Sequence, residues 1–395
     1  MQQLPPLDPA DEASWAIVRR QYTPSPDFIN LENGYFGMPA LPVREALRRY
    51  QDQVDSEGSY FLRTRFPERL EGVMRALAAF TGVAPGELLV TRNAMESFNV
   101  LIQGYPFAAG DQVLLARHDY DSVIETLAML EARRGLELVR VDVPLDPDDD
   151  AQIVAIYERA LTPRTRVLLL THVVHRTGQI MPVEKIAAMA RRHGVDVIVD
   201  AAHSLAQLDY QVPELGVQFA VFNLHKWVGA PLGLGLLYVA KERVADIAAL
   251  YGDVTHAPDD IRRLGHFSVI APAPVLAIED ALAFHHAVGA RNKEARLRYL
   301  GGYWMERARA IPGVRVFTPR DPRRYGALGA FGIAGMAADQ VAERLMRDWR
   351  ICTVVRAIGD EACVRVTPHL YTPLEHLDAL LAAVRALAAE AGPAR

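Results

Sequence analysis

The residues of this sequence best placed to do chemistry are an aspartate and a lysine set at the ends of apolar runs. In VDVIVDAAHS the run stops at Asp200, and His203 follows three residues later. In FAVFNLHKW a second run leads to His225 and Lys226, after which a Gly/Pro-rich turn opens into GLGLLYV. Uninterrupted Val/Ile/Leu runs are what strands covered on both faces look like, and open α/β sheets hold their ligands at strand ends. A lysine there can form a Schiff base with an aldehyde. A carboxylate can keep a pyridine nitrogen protonated so that the ring accepts electrons. Together they suit pyridoxal 5′-phosphate (PLP). Each residue alone has a plainer reading, since a strand-end Asp commonly caps a turn or helix and most lysines sit in solvent.

The combination VDAAHS, NLHKW and a Gly-rich strand resembles the fold-type I PLP enzymes. Within them it resembles the class V aminotransferase superfamily, most closely the isopenicillin N epimerase-like branch, over roughly residues 28 to 385. The resemblance implies an α/β fold: a mostly parallel central sheet flanked by helices, followed by a smaller α+β C-terminal domain. It implies that Lys226 carries the cofactor and moves a proton at Cα, with Asp200 on the ring nitrogen. His203 would sit on the phenolic oxygen and His225 near the phosphate. A homodimer with shared sites is also expected from the resemblance.

Composition bounds the alternatives. The 395 residues are half hydrophobic and 23% charged, with a net charge of −5 and no basic block. Nucleic acid and anionic membranes are therefore not expected partners. The N-terminus, MQQLPPLDPADEASW, lacks the pattern of a signal peptide, and no apolar run is long enough to span a bilayer. Two cysteines, Cys352 and Cys363, cannot form a disulfide framework, which points to a reducing cytoplasm. Strand-like and helix-like stretches alternate from Glu87 onward, as right-handed βα crossovers require. The pattern changes near residue 275. The expected layout is an arm over 1–40 packing with the small domain, a large domain over 41–275 and a small domain over 276–395.

Further candidates follow in chain order. FINLENGYFGMP, with Asn33 and Tyr35, reads as a tight turn, and the resemblance puts it near the site mouth. Two long helical stretches follow and meet near Arg63 and Arg65, candidates for substrate contact. The turn Asn93-Ala94-Met95-Glu96-Ser97 joins a strand to a helix, and helix N-termini suit phosphate. The family usually has a Thr where Met95 stands, so backbone N–H groups and Ser97 must supply the grip. At the end of DQVLLAR, His118 aligns with the residue that stacks on the cofactor, and Tyr120 could instead reach the substrate. His175, in THVVHRTG, stands where the family has Asn or Ser, as a second acid/base or as a bulkier wall. His266 or Ser268 could replace a Thr that reaches the partner subunit's cofactor phosphate. Arg365, in VRVTPHLYT, aligns with the arginine that forks onto the substrate α-carboxylate. Arg356 is a weaker candidate for a second carboxylate.

These residues are compatible with epimerisation or transamination of an amino-acid-like substrate, and with C–S β-elimination as the alternative. They are also compatible with a PLP-binding protein that has lost turnover and serves as a regulator or scaffold. Persulfide chemistry on the enzyme is disfavoured because both cysteines fall in strands, where they pack as inert groups. A Rossmann dehydrogenase is disfavoured by the lack of G-x-G-x-x-G after an early strand.

Overall fold

A computed structural model describes residues 3–265, 269–359 and 361–391. His266 and Ser268 lie outside the described residues. The arm holds helix α1 (Glu12–Arg19) and the short strand β1 (Ile29–Asn30). Helices α2 (Leu41–Thr64) and α3 (Phe66–Thr81) follow, with α2 broken at Gly58 (φ 55°). The large domain then runs β2 (Leu88–Thr91), α4 (Ala94–Gly104), β3 (Gln112–Ala116), α5 (Asp121–Arg134), β4 (Glu137–Val141), α6 (Asp150–Ala160), β5 (Thr165–Thr171), α7 (Val183–Arg192), β6 (Asp196–Asp200), β7 (Phe219–Asn223) and β8 (Gly235–Val239). Two long helices come next, α8 (Pro272–Val288) and α9 (Ala290–Arg309). The chain closes with β9 (Val314–Val316), β10 (Gly329–Ile333), α10 (Ala338–Trp349), β11 (Ile351–Cys352), β12 (Val354–Ile358), β13 (Glu361–Val366) and α11 (Leu374–Ala391).

The seven-stranded sheet has the order β2-β8-β7-β6-β5-β3-β4, and β8 alone runs antiparallel to its neighbours. Side chains along a strand point alternately to opposite faces. In β5, Leu168 and Leu170 join one core cluster while Val167 and Leu169 join the other. The unbroken apolar runs in the sequence thus serve two cores at once. The second sheet is four-stranded and antiparallel, ordered β12-β13-β10-β9, and shares a third core with α9, α10 and α11.

The apolar side chains of α8 pack on α2 and α3, and α9 follows after the turn at Gly289. A short 3-10 stretch, Lys241–Asp246, follows β8. No helix among the described residues is long and apolar enough to cross a membrane.

The arm is threaded between the two bodies. Ile29 and Asn30 pair in parallel with Ile351 and Cys352 of β11, and Glu32 bridges Thr367. Beyond that, the Gly37 N–H donates to His225 O at 3.0 Å. A Cβ on Gly37 would lie 2.0 Å from Lys226 O, so only glycine lets the arm backbone come this close. Gly37→Ala is expected to cost about 1–3 kcal/mol, seen as a lower denaturation midpoint. An unchanged midpoint would mean that the two backbones part at no cost.

Candidate active site

Strand register brings the chemistry together. At the carboxyl ends of β5, β6 and β7, Thr171 pairs with Asp200 and Asp200 with Val221. Asp200 is buried, and its Oδ1 accepts the Ala202 N–H at 2.9 Å. Burial raises its pKa, and the charge of Lys226 works against that rise. Lys226 follows β7, with Nζ 3.0 Å from His203 Nε2. Burial lowers the Lys226 amine to about 8, opposed by the Asp200 charge. His203 lies well below its ordinary value, first through burial and then through Lys226 and Arg365. A neutral His203 therefore accepts a proton donated by Nζ, and its Nδ1 has no partner among the described residues.

Beneath this pair is a carboxylate that the sequence reading passed over. Asp119 is fully buried and accepts from Thr171 Oγ1 at 2.6 Å, Thr171 N at 3.2 Å and Ala116 N at 2.7 Å. Burial pushes it up to about 7 despite those donors. Its only sequence signal is an acid in HDYD just past a strand, which a turn role accounts for equally well.

The first turn of α4 forms the other end of the site. Asn93 caps it, Oδ1 accepting from Glu96 N at 2.9 Å. Ala94 N donates to Asn223 Oδ1 at 2.9 Å, a contact that sequence reasoning missed. The Met95 N–H has no partner among the described residues, so one donor stays open at this helix end. Ser97 does not supply the expected grip: its hydroxyl is buried and paired with Thr91 Oγ1 at 2.7 Å. His225 Nδ1 donates to Leu234 O at 2.8 Å and so braces the turn after Lys226.

His118 and Tyr120 separate clearly. The buried His118 Nε2 has no partner among the described residues, and burial with Arg176 lowers the ring to about 4. Tyr120 is 38% exposed and meets the His175 ring edge-on, with centroids 5.1 Å apart. His175 Nε2 accepts from Arg176 Nε at 3.3 Å. Its proton therefore sits on Nδ1, which is buried and has no partner among the described residues. Burial, then Arg176 and Arg365, hold His175 well below the usual range. Neutral His175 and His203 thus both face the charge of Lys226.

Arg365 is 2% exposed and donates to His175 O at 2.8 Å and to Glu32 Oε1 at 2.5 Å. The glutamate was not anticipated. Asn33, expected near the site mouth, forms a joint. Its Nδ2 donates to Thr367 O at 2.8 Å and Asn30 O at 3.2 Å, and its Oδ1 accepts from Tyr371 at 2.6 Å and Asn30 at 3.0 Å. An amide so engaged has no capacity left for a ligand. Tyr35 is 69% exposed, and Arg63 is exposed in the last turn of α2 with no hydrogen bond or ion pair to the described residues. Burial raises both thiols, Cys363 to about 11, so neither is a thiolate near neutrality.

These groups fit PLP. An amine of lowered pKa meets an aldehyde, a buried carboxylate meets a ring nitrogen, and an open backbone donor at a helix N-terminus meets a phosphate. A mostly parallel sheet carrying such a site, with a small α+β domain across its mouth, defines a fold-type I PLP enzyme. Residues 42–386 match the family Aminotransferase class-V, and the chain belongs to that family. Its cofactor is pyridoxal 5′-phosphate.

The chain is similar to isopenicillin N epimerase of Streptomyces clavuligerus, 26% identical, across 96% of this chain and 99% of that protein. It is also similar to a probable cysteine desulfurase of Mycolicibacterium paratuberculosis, 27% identical, across 83% of this chain and 50% of that one. Among solved structures, a cysteine desulfurase from Thermococcus onnurineus superposes with TM-score 0.86 at 20% identity, covering 99% of this chain and 100% of its own. The cystine C–S lyase C-DES, in complex with its product cysteine persulfide, gives TM-score 0.81 at 24% identity, covering 91% and 97%. These superpositions establish the shared fold.

Only a neutral amine attacks an aldehyde, and a lowered pKa frees Nζ of its proton at lower pH. The rate at which apoprotein captures PLP, followed by visible absorbance, is expected to rise with loss of one proton and reach half-maximum near pH 8. A midpoint near 10.5, the ordinary lysine value, would show that burial does not act on Nζ.

Proposed function

We propose that this protein reacts an amino acid or peptide-like amine at Cα, by epimerisation or transamination. The observation that carries the proposal is the Lys226–His203 contact beside buried Asp200. Near full-length similarity to an isopenicillin N epimerase supports it. When bound, PLP supplies an aldehyde for the substrate amine and a sink for the electron pair left at Cα.

The chain's own groups do the rest. Asp200 would hold the proton on the ring nitrogen. Lys226 Nζ takes and returns the proton at Cα, and His203, with Nε2 3.0 Å from Nζ, orients that amine. The first turn of α4, capped by Asn93, would receive the phosphate through the Met95 N–H. His118 would cover one ring face, and Arg365 would orient the substrate carboxylate. Epimerisation requires a second proton source on the opposite side of Cα. His118, Tyr120 and His175 are the candidates for it.

C–S β-elimination is the second reading, favoured by the fold shared with the lyase C-DES. It would proceed without a thiolate from either cysteine. The proposed assembly is a homodimer. A cavity of about 730 Å³ at the α4 N-terminus is lined by Arg92, Asn93 and Glu96, with Leu232 58% exposed and Val269 78% exposed at its edge. A second copy would cover these apolar side chains.

Lys226→Ala is expected to abolish the visible band of the holoenzyme, and a retained band would move the attachment elsewhere. Arg365→Ala is expected to weaken binding of carboxylate substrates roughly 10- to 100-fold, from about 1.5–3 kcal/mol for hydrogen bonds to a charged group. Incubation of candidate amines in deuterated water separates the reactions. Label at Cα with inversion identifies epimerisation, a keto product transamination, and released thiol elimination. If none appears across a broad amine panel, the proposal fails.

A further inference from the structure

The charge around Arg365 is arranged more specifically than carboxylate binding alone requires. Strands β12 and β13 are antiparallel, with Val354 opposite Arg365 and Arg356 opposite Cys363. Opposed residues share a face and diagonal neighbours lie within side-chain reach. Arg356 and Arg365 therefore rise from one face of the small sheet. A single oxygen serves both: Glu32 Oε1 lies 2.5 Å from Arg365 NH2 and 4.0 Å from Arg356 NH2.

The glutamate is held in place through its backbone. Glu32 N donates to Asn30 Oδ1 at 2.9 Å, and Glu32 bridges Thr367. Gly34, two residues on, lies flat on the guanidinium, where a Cβ would stand 2.8 Å from Arg365 NH2. Yet the cluster is incomplete. Glu32 Oε2 and Arg365 Nε are both buried without a partner among the described residues, a state that proteins seldom leave unfilled. Nearby, Arg176 is paired with Asp121, and burial keeps His175 and His203 neutral. Two guanidinium charges and one carboxylate thus leave the pocket wall with one net positive charge.

We infer that Glu32 sets substrate selectivity: it cancels one of two arginine charges, so that the pocket takes amines with a single carboxylate and rejects dicarboxylates. The inference rests on the reading of Arg365 as the carboxylate anchor. A first carboxylate neutralises the remaining charge. A second would face the Glu32 carboxylate where solvent screening is poor.

The test uses the holoenzyme, wild type and E32Q. L-2-aminobutyrate and L-glutamate are titrated by the change in cofactor absorbance, and the amine-free probes butyrate and glutarate by calorimetry. In E32Q the affinity ratio of dicarboxylate to monocarboxylate is expected to rise at least tenfold, and E32D is expected to keep the wild-type preference. R356Q serves as an independent arm. It removes the net positive charge and is expected to weaken monocarboxylate binding about tenfold while the cofactor band stays. A ratio unchanged in E32Q, a wild type that already prefers glutarate, or monocarboxylate binding unaffected in R356Q would overturn the inference. Loss of the cofactor band together with the expected shift in the butyrate-to-glutarate ratio would sink the PLP reading alone. A normal band with an unchanged ratio would sink the role of Glu32 alone.

Discussion

Placing an amine where water cannot solvate its charge well is the constraint from which most of the site follows. Lys226 leaves the end of β7 and points into surroundings of buried side chains, with His203 at 3.0 Å and the Asp200 carboxylate opposing the effect of burial. Desolvation favours the neutral amine, and an adjacent carboxylate favours the charged one. The balance leaves an amine poised near neutrality. The same desolvation acts with opposite sign on the acids, raising Asp119 and Asp200, and it strips charge from the histidines. One condition, dryness at the strand ends, thus sets the protonation of the whole cluster.

That dryness is produced by the fold. Apolar core clusters pack around the sheets, and the arm lays its backbone on the Lys226 carbonyl at Gly37 and on the Arg365 guanidinium at Gly34. The arm turn is therefore as much a part of the site wall as the strands are. Its side chains divide the work: Asn33 ties the joint, Glu32 faces the arginines and Tyr35 stays in solvent.

How much of this the sequence shows depends on whether a role is local. Strands such as VDVIV and FAVFN are legible because burial on both faces leaves an unbroken apolar run, and Asp200 and Lys226 stand out as charges that end those runs. The Asn93 cap is legible because a cap acts within one turn. Glu32, Asn223 and Asp119 are not, because each acquires its meaning from a partner brought near only by folding: Arg365, the Ala94 N–H and Thr171. Ser97 misleads for the same reason, since Thr91 claims its hydroxyl. The position of α8 also depends on a surface distant in sequence, the faces of α2 and α3 that it covers.

The pairing of Ile29 with Ile351 has a consequence for how the molecule is made. On a ribosome the arm emerges first, and its strand partner comes more than three hundred residues later. Until then the stretch that will seal the lysine has nothing to lie against, and a contact of such long sequence separation forms slowly. The large sheet can assemble domain-wise during synthesis, but a finished catalytic chamber must wait for the last strands. The arm can seal the lysine only once the strands that it pairs with, β11 and the end of β13, have been made.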